Sequence, residues 1–222
     1  MEHKRTIKSY VLRASRMSIG QRQALENYSQ KHCIEYSGQP LDYSEYFKNQ
    51  LCIEVGFGMG NATSQIALHN PDISYLGIEV HVPGVGRLLS NIENEKIDNL
   101  KIINHDAVEV LKTMIPESSV AGFHVFFPDP WPKTKHQKRR LINTEFTALL
   151  VSRLKIGGYI YTATDWEDYA DQMLDVFSAN PDLRNEFEIW AEKPLWRPET
   201  AFEAKGKKKN HVIRELYFKR VK

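Results

Sequence analysis

The sequence has little cysteine, no long apolar run and a small net charge. Its 222 residues include two cysteines, Cys33 and Cys52, whose separation fits no metal-ligand motif, so we expect two free thiols. No stretch approaches the roughly 18 apolar residues that a membrane-spanning helix needs, and none near the N-terminus has the apolar core of a signal peptide. The sequence therefore predicts a cytoplasmic protein with no membrane partner.

The net charge of +2 conceals a strong segregation of charge along the chain. Residues 1–44, 131–155 and 204–222 are basic, and the segments between them are acidic. Any one of these segments is compatible with an ordinary solvated face. If the three basic segments converge in the fold, they form a surface suited to a polyanion.

Strand and helix patterns alternate from Leu51 onward and predict an open α/β sheet. Residues 1–45 are expected to form a basic arm with a helix at 18–31, and residues 46–222 a single domain large enough to bury its own core. After residue 181 two strands are expected to pair antiparallel, with no helix between them. The expected strands are 51–55, 74–80, 100–104, 123–127, 159–163, 187–192 and 212–220, and the expected helices 61–69, 83–94, 107–114, 143–155 and 166–178. Asn143 is expected to cap the helix at 143–155, and Gly157-Gly158 to close it.

A glycine-rich loop follows the first predicted strand, at the sheet edge where open α/β sheets bind ligands. Gly56, Gly58 and Gly60 do not match the dinucleotide pattern Gly-x-Gly-x-x-Gly, because the third glycine comes one position early. Such a loop is also compatible with a structural turn. Glu54 stands directly before it, and this carboxylate disfavours a pyrophosphate and favours a cationic ligand.

Four acidic side chains follow four successive predicted strands: Glu54, Glu79, Asp106 and Asp129. Any one of them is compatible with an ordinary exposed loop acid. Together they predict one acidic crevice, in which Glu79 could accept hydrogen bonds from ribose hydroxyls and Asp106 could meet an adenine amino group. This crevice suits the sulfonium and amino groups of S-adenosylmethionine. The pattern resembles the class I methyltransferases over residues 50–222.

The segment from Phe123 to Arg140 joins an apolar strand, a carboxylate between prolines and a run of cations. Asp129 lies in the corner Pro128-Asp129-Pro130-Trp131. Trp131 either stacks on a splayed-out base or holds the corner as a core wedge, and the sequence leaves both open. The cations would contact phosphates and set affinity without reading sequence. They are Lys133, Lys135, Lys138, Arg139 and Arg140.

Residues that are absent from this corner narrow the choice of the atom that accepts the methyl group. Attack through pyrimidine C5 needs a cysteine nucleophile, which is absent there, and methylation of amino groups typically uses a second proline after the acid. Guanine N7 carries a lone pair and no proton, so orientation of the ring supplies most of the catalysis. Asp129 could accept hydrogen bonds from guanine N1–H and N2–H₂ and offset the positive charge that develops on the ring.

Several motifs together resemble those of the bacterial tRNA (guanine-N7-)-methyltransferases. The resemblance implies a Rossmann-like class I fold: a seven-stranded, mostly parallel sheet with a C-terminal antiparallel hairpin and helices on both faces. It also implies methylation of guanosine 46 in the tRNA variable loop by S-adenosylmethionine, which becomes S-adenosylhomocysteine, without a metal. The motifs are Glu54-Val55-Gly56-Phe57-Gly58, Gly77-Ile78-Glu79, residues 127–140, Thr164-Asp165-Trp166, and Arg197-Pro198 with Thr200, Phe202 and Glu203.

The resemblance implies a role for each matching residue. Two departures are mild: Lys135 stands where arginine is common, and Asn210 where glycine is common. The partner implied is tRNA, with no obligate protein partner, for a monomer or a homodimer. The cofactor residues are Glu54, Gly56, Gly58, Gly60, Glu79, Asp106 and Asp129, the last also catalytic; the substrate residues are Lys133, Asp165, Thr200, Ala201, Phe202 and Glu203; the RNA-binding residues are Lys135, His136, Gln137, Lys138, Arg139 and Arg140.

Two other classes of function stay open. One is a methyltransferase that acts on another RNA amino group or on a small molecule, although the basic segments argue against a small substrate. The other is an RNA-binding protein that keeps the fold without catalysis, which the intact Glu54, Glu79 and Asp129 disfavour. Binding of S-adenosylmethionine without turnover on any tRNA would support this second class.

Overall fold

The computed structural model of the chain describes residues 8–11 and 16–222, built around a seven-stranded sheet. A 3-10 helix also covers Thr134–Arg139. The strands are β1 Gln50–Val55, β2 Ile73–Ile78, β3 Leu100–Ile103, β4 Val120–Phe126, β5 Leu154–Thr164, β6 Leu183–Asn185 and β7 Arg214–Arg220. The helices are α1 Ile19–His32, α2 Tyr43–Tyr46, α3 Asn61–His69, α4 Val82–Glu95, α5 Ala107–Thr113, α6 Thr144–Arg153, α7 Glu167–Ser178 and α8 Ala201–Lys208.

The strand order is β3-β2-β1-β4-β5-β7-β6. The first five strands pair in parallel, and β7 runs antiparallel to both β5 and β6. The chain moves outward from β1 to β3 and then returns to place β4 on the other side of β1. This reversal makes the carboxyl ends of β1 and β4 the expected ligand-binding edge.

Apolar side chains on both faces of the central strands hold the helices against the sheet. Leu51 and Ile53 belong to one hydrophobic cluster, together with residues of α5, α6 and α7. Cys52, between them, belongs to a second cluster with residues of α3 and α4. Because successive strand residues point to opposite faces, the two clusters cover the two sides of the sheet. The predicted mostly parallel sheet with helices on both faces is confirmed.

Helix α1 packs closely against helix α4. Its start is fixed by a capping box, in which the Gln21 N–H donates to the Ser18 hydroxyl and the Gln21 side chain accepts from the Ser18 N–H. A Cβ at Gly86 of α4 would lie 2.5 Å from the Gln21 carbonyl oxygen, so this position requires glycine. The described part of residues 1–45 thus packs on the sheet domain. Residues 1–7 and 12–15 lie outside the described residues, and the boundary near residue 45 stays a prediction.

Two expectations about β5 and α6 need correction. The predicted cap of α6 at Asn143 is confirmed, since its side chain accepts the Phe146 N–H at 3.0 Å. The helix nevertheless ends at Arg153, earlier than predicted. Gly157 does not close it but lies inside β5 at φ 81°, where the register between β4 and β5 shifts. Glycine here serves a bulge in the strand, which a glycine pair after a helical pattern does not reveal.

The last third of the chain also differs from expectation. Residues 187–192 form no strand, and the edge strand is the three-residue β6. Ala191 donates its N–H to the Glu215 carbonyl at 2.7 Å, so the segment contacts β7 as a loop, and its apolar residues Phe187 and Ile189 are exposed. Helix α8 occupies a segment where no helix was expected. Its signal was local: Thr200 three residues before Glu203 is a capping pattern, and the Glu203 N–H donates to the Thr200 hydroxyl.

Both cysteines are free, as predicted. No helix in the described ranges is long and apolar enough to cross a membrane.

Candidate active site

A cavity of about 360 Å³ opens at the carboxyl ends of the parallel strands. Its volume lies within the range of small-molecule sites. The glycine loop forms one part of the wall, and residues from β4, its following corner and the start of α8 form another. All four predicted strand-end acids contribute to it: Glu54, Glu79, Asp106 and Asp129.

Glu54 lies at the base of the cavity, near the end of β1. It is 4% exposed and pairs in register with Gly77 of β2 and His124 of β4. Burial, reinforced by the carboxylate of Glu79 and opposed by the Thr63 hydroxyl, raises the pKa of Glu54 to about 7. A cation in the cavity would favour the charged form of Glu54.

Glu79 ties the glycine loop to the start of α4. One carboxylate oxygen accepts the Gly58 N–H at 2.8 Å, and the other accepts the N–H groups of Val80 and His81 at 2.7 and 2.9 Å. Gly58 has φ 59°, which suits glycine, and its carbonyl oxygen would lie 1.9 Å from a Cβ at Gly84. The loop is therefore packed closely on α4. Gly56 and Gly60 also have positive φ, at 75° and 71°.

Asp106 caps α5 and meets a lysine from the N-terminal segment. One of its oxygens accepts the Val108 N–H at 2.8 Å, and the other accepts from Lys8 Nζ at 2.7 Å. Lys8 also donates to Glu109, and these two hydrogen bonds raise the pKa of Lys8. The next residues, Ser9 and Tyr10, line the cavity. Sequence reasoning missed this contact, because a lysine in a basic arm has no periodic pattern to place it.

The corner that carries Asp129 has an unusual backbone. Phe127 and Trp131, two residues to either side, have φ of 51° and 45°. A bulky residue in this region costs on the order of 1–3 kcal/mol, and such conformations cluster at functional sites. The corner is held by hydrogen bonds from the Phe127 N–H to Ala163 at 2.7 Å and from Arg140 Nε to the Pro130 carbonyl at 2.9 Å. Asp129 itself is exposed.

Comparison with known proteins assigns the chain to a family. The profile of the family described as "Putative methyltransferase" matches residues 48–216. A protein of Paraburkholderia xenovorans (strain LB400) named "tRNA (guanine-N(7)-)-methyltransferase" is 47% identical over 220 residues, covering 98% of this chain and 85% of that protein. One of the same name from Dechloromonas aromatica (strain RCB) is 50% identical over 216 residues, covering 96% and 88%. The chain belongs to this family.

Solved structures agree on the fold of this tRNA (guanine-N(7)-)-methyltransferase family member. The 16S rRNA methyltransferase KamB superposes with a TM-score of 0.58 at 13% identity, covering 83% of this chain and 96% of that one. A geranyl diphosphate methyltransferase solved with sinefungin superposes with a TM-score of 0.54 at 12% identity, covering 79% and 73%. Such low identities establish the fold alone, and the predicted class I methyltransferase fold is confirmed.

The basic run after the corner divides into exposed and buried side chains. Lys133, Lys135 and Lys138 are exposed on and beside the 3-10 helix. Arg139 is half-buried, with its guanidinium 4.5 Å from the centre of the Trp131 ring. His136 and Gln137 are also half-buried, and Gln137 donates to Asp168 at 3.2 Å.

Arg140 does not belong to the exposed basic surface, and its predicted contact with RNA stays a prediction. It is 3% exposed and donates to Asp168, Gln172 and the Pro130 carbonyl. Its guanidinium lies 4.8 Å from the centre of the Tyr169 ring. Arg140 therefore joins the corner to α7. Its partners are distant in the sequence, which is why the run looked uniformly phosphate-binding.

Trp131 is covered by the chain itself. Its indole N–H donates to the Ser9 carbonyl at 3.0 Å. The His136 ring makes a T-shaped contact with the indole ring, and the Arg139 guanidinium lies over it. Of the two interpretations left open by the sequence, this arrangement favours the one in which Trp131 holds the corner.

The residues predicted for substrate binding separate into two groups. Thr200, Ala201 and Phe202 line the cavity. Lys133, Asp165 and Glu203 are not part of its wall. Asp165 instead accepts from His211 Nδ1 at 3.0 Å, and its carboxylate would lie 3.0 Å from a Cβ at Gly206 of α8. The turn before β7 has Asn210 at φ 58°, a conformation that asparagine tolerates better than most residues in place of glycine.

Glu203 is buried beneath α8 and anchors its first turn, and its predicted contact with substrate stays a prediction. It is 1% exposed and accepts from Lys193, Arg197 and Lys207. Although burial raises it, these hydrogen bonds together lower the pKa of Glu203 to about 2. Arg197, itself 2% exposed, also pairs with Glu215 and donates to the Tyr161 hydroxyl at 3.2 Å. The network fixes the first turn of α8 beside the cavity.

Proposed function

We propose that this protein transfers the methyl group of S-adenosylmethionine to N7 of guanosine 46 in the variable loop of tRNA. The observation that carries the proposal is the position of Asp129 in the wall of an acidic cavity, in a chain that aligns almost end to end with proteins named for this reaction. Residues 46–222 would form the catalytic domain and residues 1–45 a basic extension.

The donor set of the cavity fits a cationic cofactor. Five carboxylic acids line it, the four strand-end acids and Glu199, and the described lining residues include no lysine or arginine. Glu54, Glu79 and Asp106, with the glycine loop, would hold the cofactor. S-adenosylmethionine would supply an activated methyl group on a positively charged sulfur. In the described part of the chain, no group of three or more histidine, cysteine, aspartate or glutamate residues is arranged to hold a metal ion.

The residues of this chain then act by orientation and electrostatics. Guanine N7 carries no proton at neutral pH, so no side chain has to remove one. Asp129 would accept hydrogen bonds from guanine N1–H and N2–H₂ and so fix the ring for in-line attack. Its negative charge would offset the positive charge that grows on the ring as N7 gains the methyl group.

The proposal is tested by incubating the protein with labelled S-adenosylmethionine and unmodified tRNA. Borohydride reduction and aniline treatment then cleave the RNA chain at 7-methylguanosine. We expect label incorporation and cleavage at guanosine 46, and neither in a transcript with adenosine at that position. Labelling of another nucleotide would contradict the assigned position. Binding of both ligands without labelling would favour a non-catalytic RNA-binding protein.

The exposed lysines beside the corner are expected to contact tRNA phosphates. Replacing Lys133, Lys135 and Lys138 with alanine should weaken tRNA binding in low salt and flatten its salt dependence. Each phosphate contact contributes about 0.7 to 0.9 to the slope of log affinity against log salt, so the magnitude of the slope should fall by about 2 to 3. Filter binding between low and moderate salt measures both quantities.

A matched variant carries three other exposed lysines replaced by alanine: Lys48, Lys112 and Lys155. Lys48 precedes β1, Lys155 is the second residue of β5 and Lys112 lies in the last turn of α5, so all three lie near the amino ends of the parallel strands, opposite the cavity. The salt slope of this variant should equal that of the wild type. An equal loss in both variants would show a non-specific effect of net charge and would remove the corner lysines from the interface.

A further inference from the structure

Phe127 and Phe202 lie close together at the cavity. Both line it, and their rings are nearly parallel, with an interplanar angle of 18° and a centroid separation of 6.2 Å. A flat ring in contact with both would need carbon atoms about 3.5 Å from each, or about 7 Å between the two rings. Side-chain rotation that brings the two ring faces opposite each other at this larger separation would admit a planar ligand.

Core packing explains the position of Phe127 only in part, because its ring packs against the hydrophobic cluster of α3 and α4 while remaining half-buried. Phe127 has φ 51°, in a region that bulky residues rarely adopt, and is only half-buried. Phe202 is 56% exposed, although water is an unfavourable environment for a phenyl ring. It is nevertheless held in place, because the buried Glu203 next to it and the Thr200 cap fix the first turn of α8. Both rings are thus presented to the cavity by fixed backbone, so any change in their separation comes from rotation of the side chains.

We propose that Phe127 and Phe202 are the two walls between which the target guanine ring is held. This inference rests on the proposed function and adds the means by which the base is gripped. Stacking on aromatic side chains is tolerant of base identity, because every base has a flat face. Discrimination of guanine from the other bases depends on Asp129, which lies two residues after Phe127 in the same cavity wall. Trp131, whose ring is covered by Ser9, Arg139 and His136, does not hold the base.

The decisive comparison is a series at Phe202, which is exposed and can be changed without disturbing the core. Phe202→Ala removes the wall, Phe202→Leu keeps apolar volume without a flat face, and Phe202→Tyr restores the flat face. Loss of one stacking partner should raise KM for tRNA by about tenfold to a hundredfold in the alanine variant. The leucine variant should resemble alanine and the tyrosine variant the wild type. Phe127→Leu should behave like Phe202→Leu.

Two measurements separate a base-holding role from a structural or cofactor role. Affinity for S-adenosylhomocysteine, measured by calorimetry without tRNA, should be unchanged in all variants. Phe187→Ala, at a 39% exposed phenylalanine beside Tyr217 and outside the cavity wall, should leave both KM and cofactor affinity unchanged.

Three results would overturn the proposal. An unchanged KM for tRNA in Phe202→Ala would show that Phe202 does not hold the base. Equal activity of the leucine and tyrosine variants would show that a flat face is not needed. A loss confined to S-adenosylhomocysteine affinity would place the rings in the cofactor site. If the wild-type protein methylates no guanosine N7 in tRNA, the proposed function fails first, and that failure is visible before any variant is compared.

Discussion

Asp129→Ala is expected to slow methyl transfer at least about a hundredfold while the protein stays folded, a loss typical of removing one preorganised electrostatic group. Alanine removes both the hydrogen-bond acceptors for the guanine edge and the negative charge beside the ring. Asp129 is exposed on a corner that Pro128 and Pro130 stiffen, so its side chain contributes little to the core. The rate is measured in a single turnover with saturating tRNA and cofactor, and folding by thermal denaturation.

Two further variants show what Asp129 contributes. Asp129→Asn keeps one acceptor oxygen but removes the charge, so its rate should fall between those of the alanine variant and the wild type. Glu199→Gln removes a charge from the same cavity wall away from the corner, and should stay within a few fold of the wild type. A rate for Asp129→Ala near the wild-type value would contradict the assigned role.

Glu54→Gln is expected to stabilise the empty protein and to weaken binding of S-adenosylmethionine. The pKa of Glu54 is about 7 in the folded state, against an ordinary value of 4.5. The folded state therefore holds this proton more tightly than the unfolded state, and the free energy of unfolding falls as pH rises from about 4.5 to about 7. Glutamine does not titrate, so its advantage should be complete above pH 7, at most about 3 kcal/mol. Chemical denaturation of both proteins at pH 5 and pH 8 measures the difference.

The effect of Glu54 on ligand affinity should have the opposite sign. A sulfonium needs the charged carboxylate, so wild-type affinity for S-adenosylmethionine should weaken as pH falls below about 7, by up to about tenfold per unit. S-adenosylhomocysteine lacks the sulfonium charge and is the matched ligand, for which the pH dependence should be smaller. In Glu54→Gln the ratio of the two affinities should not vary with pH between 6 and 8. A constant ratio in the wild type would mean that Glu54 does not interact with the sulfonium.

The central sheet was predictable because its determinants are local. Strands buried on both faces are continuous apolar runs, and the predicted bounds of α3 and the Asn143 cap of α6 match the structure. The last third failed for a tertiary reason. The segment 187–192 has a strand-like sequence pattern but contacts β7 as a loop, and nothing local distinguishes this from a strand. Helix α8 did have a local signal, the capping spacing of Thr200 and Glu203. The helix forms although its hydrophobic pattern is poor.

The positions of site residues could be predicted where sheet topology alone determines them. They could not be predicted where they depend on partners that are distant in the sequence. Residues that follow parallel strands meet at one edge, so the convergence of the four acids needed only the order of strands and helices. The burial of Arg140 and Glu203 depends on Asp168 and Arg197, which no spacing rule connects to them. The positive φ of Phe127 is a property of the folded corner, and its sequence neighbours gave no indication of it.

The placement of α8 between β6 and β7 bears on how such enzymes diversify. The acids Glu54, Glu79 and Asp106 come from the first half of the sheet, whereas Thr200, Ala201 and Phe202 come from a late connection at its edge. Mutation can lengthen, shorten or replace that connection without touching the acids. The same fold occurs in proteins named as a 16S rRNA methyltransferase and a geranyl diphosphate methyltransferase. The late connection can therefore change independently of the three acids in the first half of the sheet.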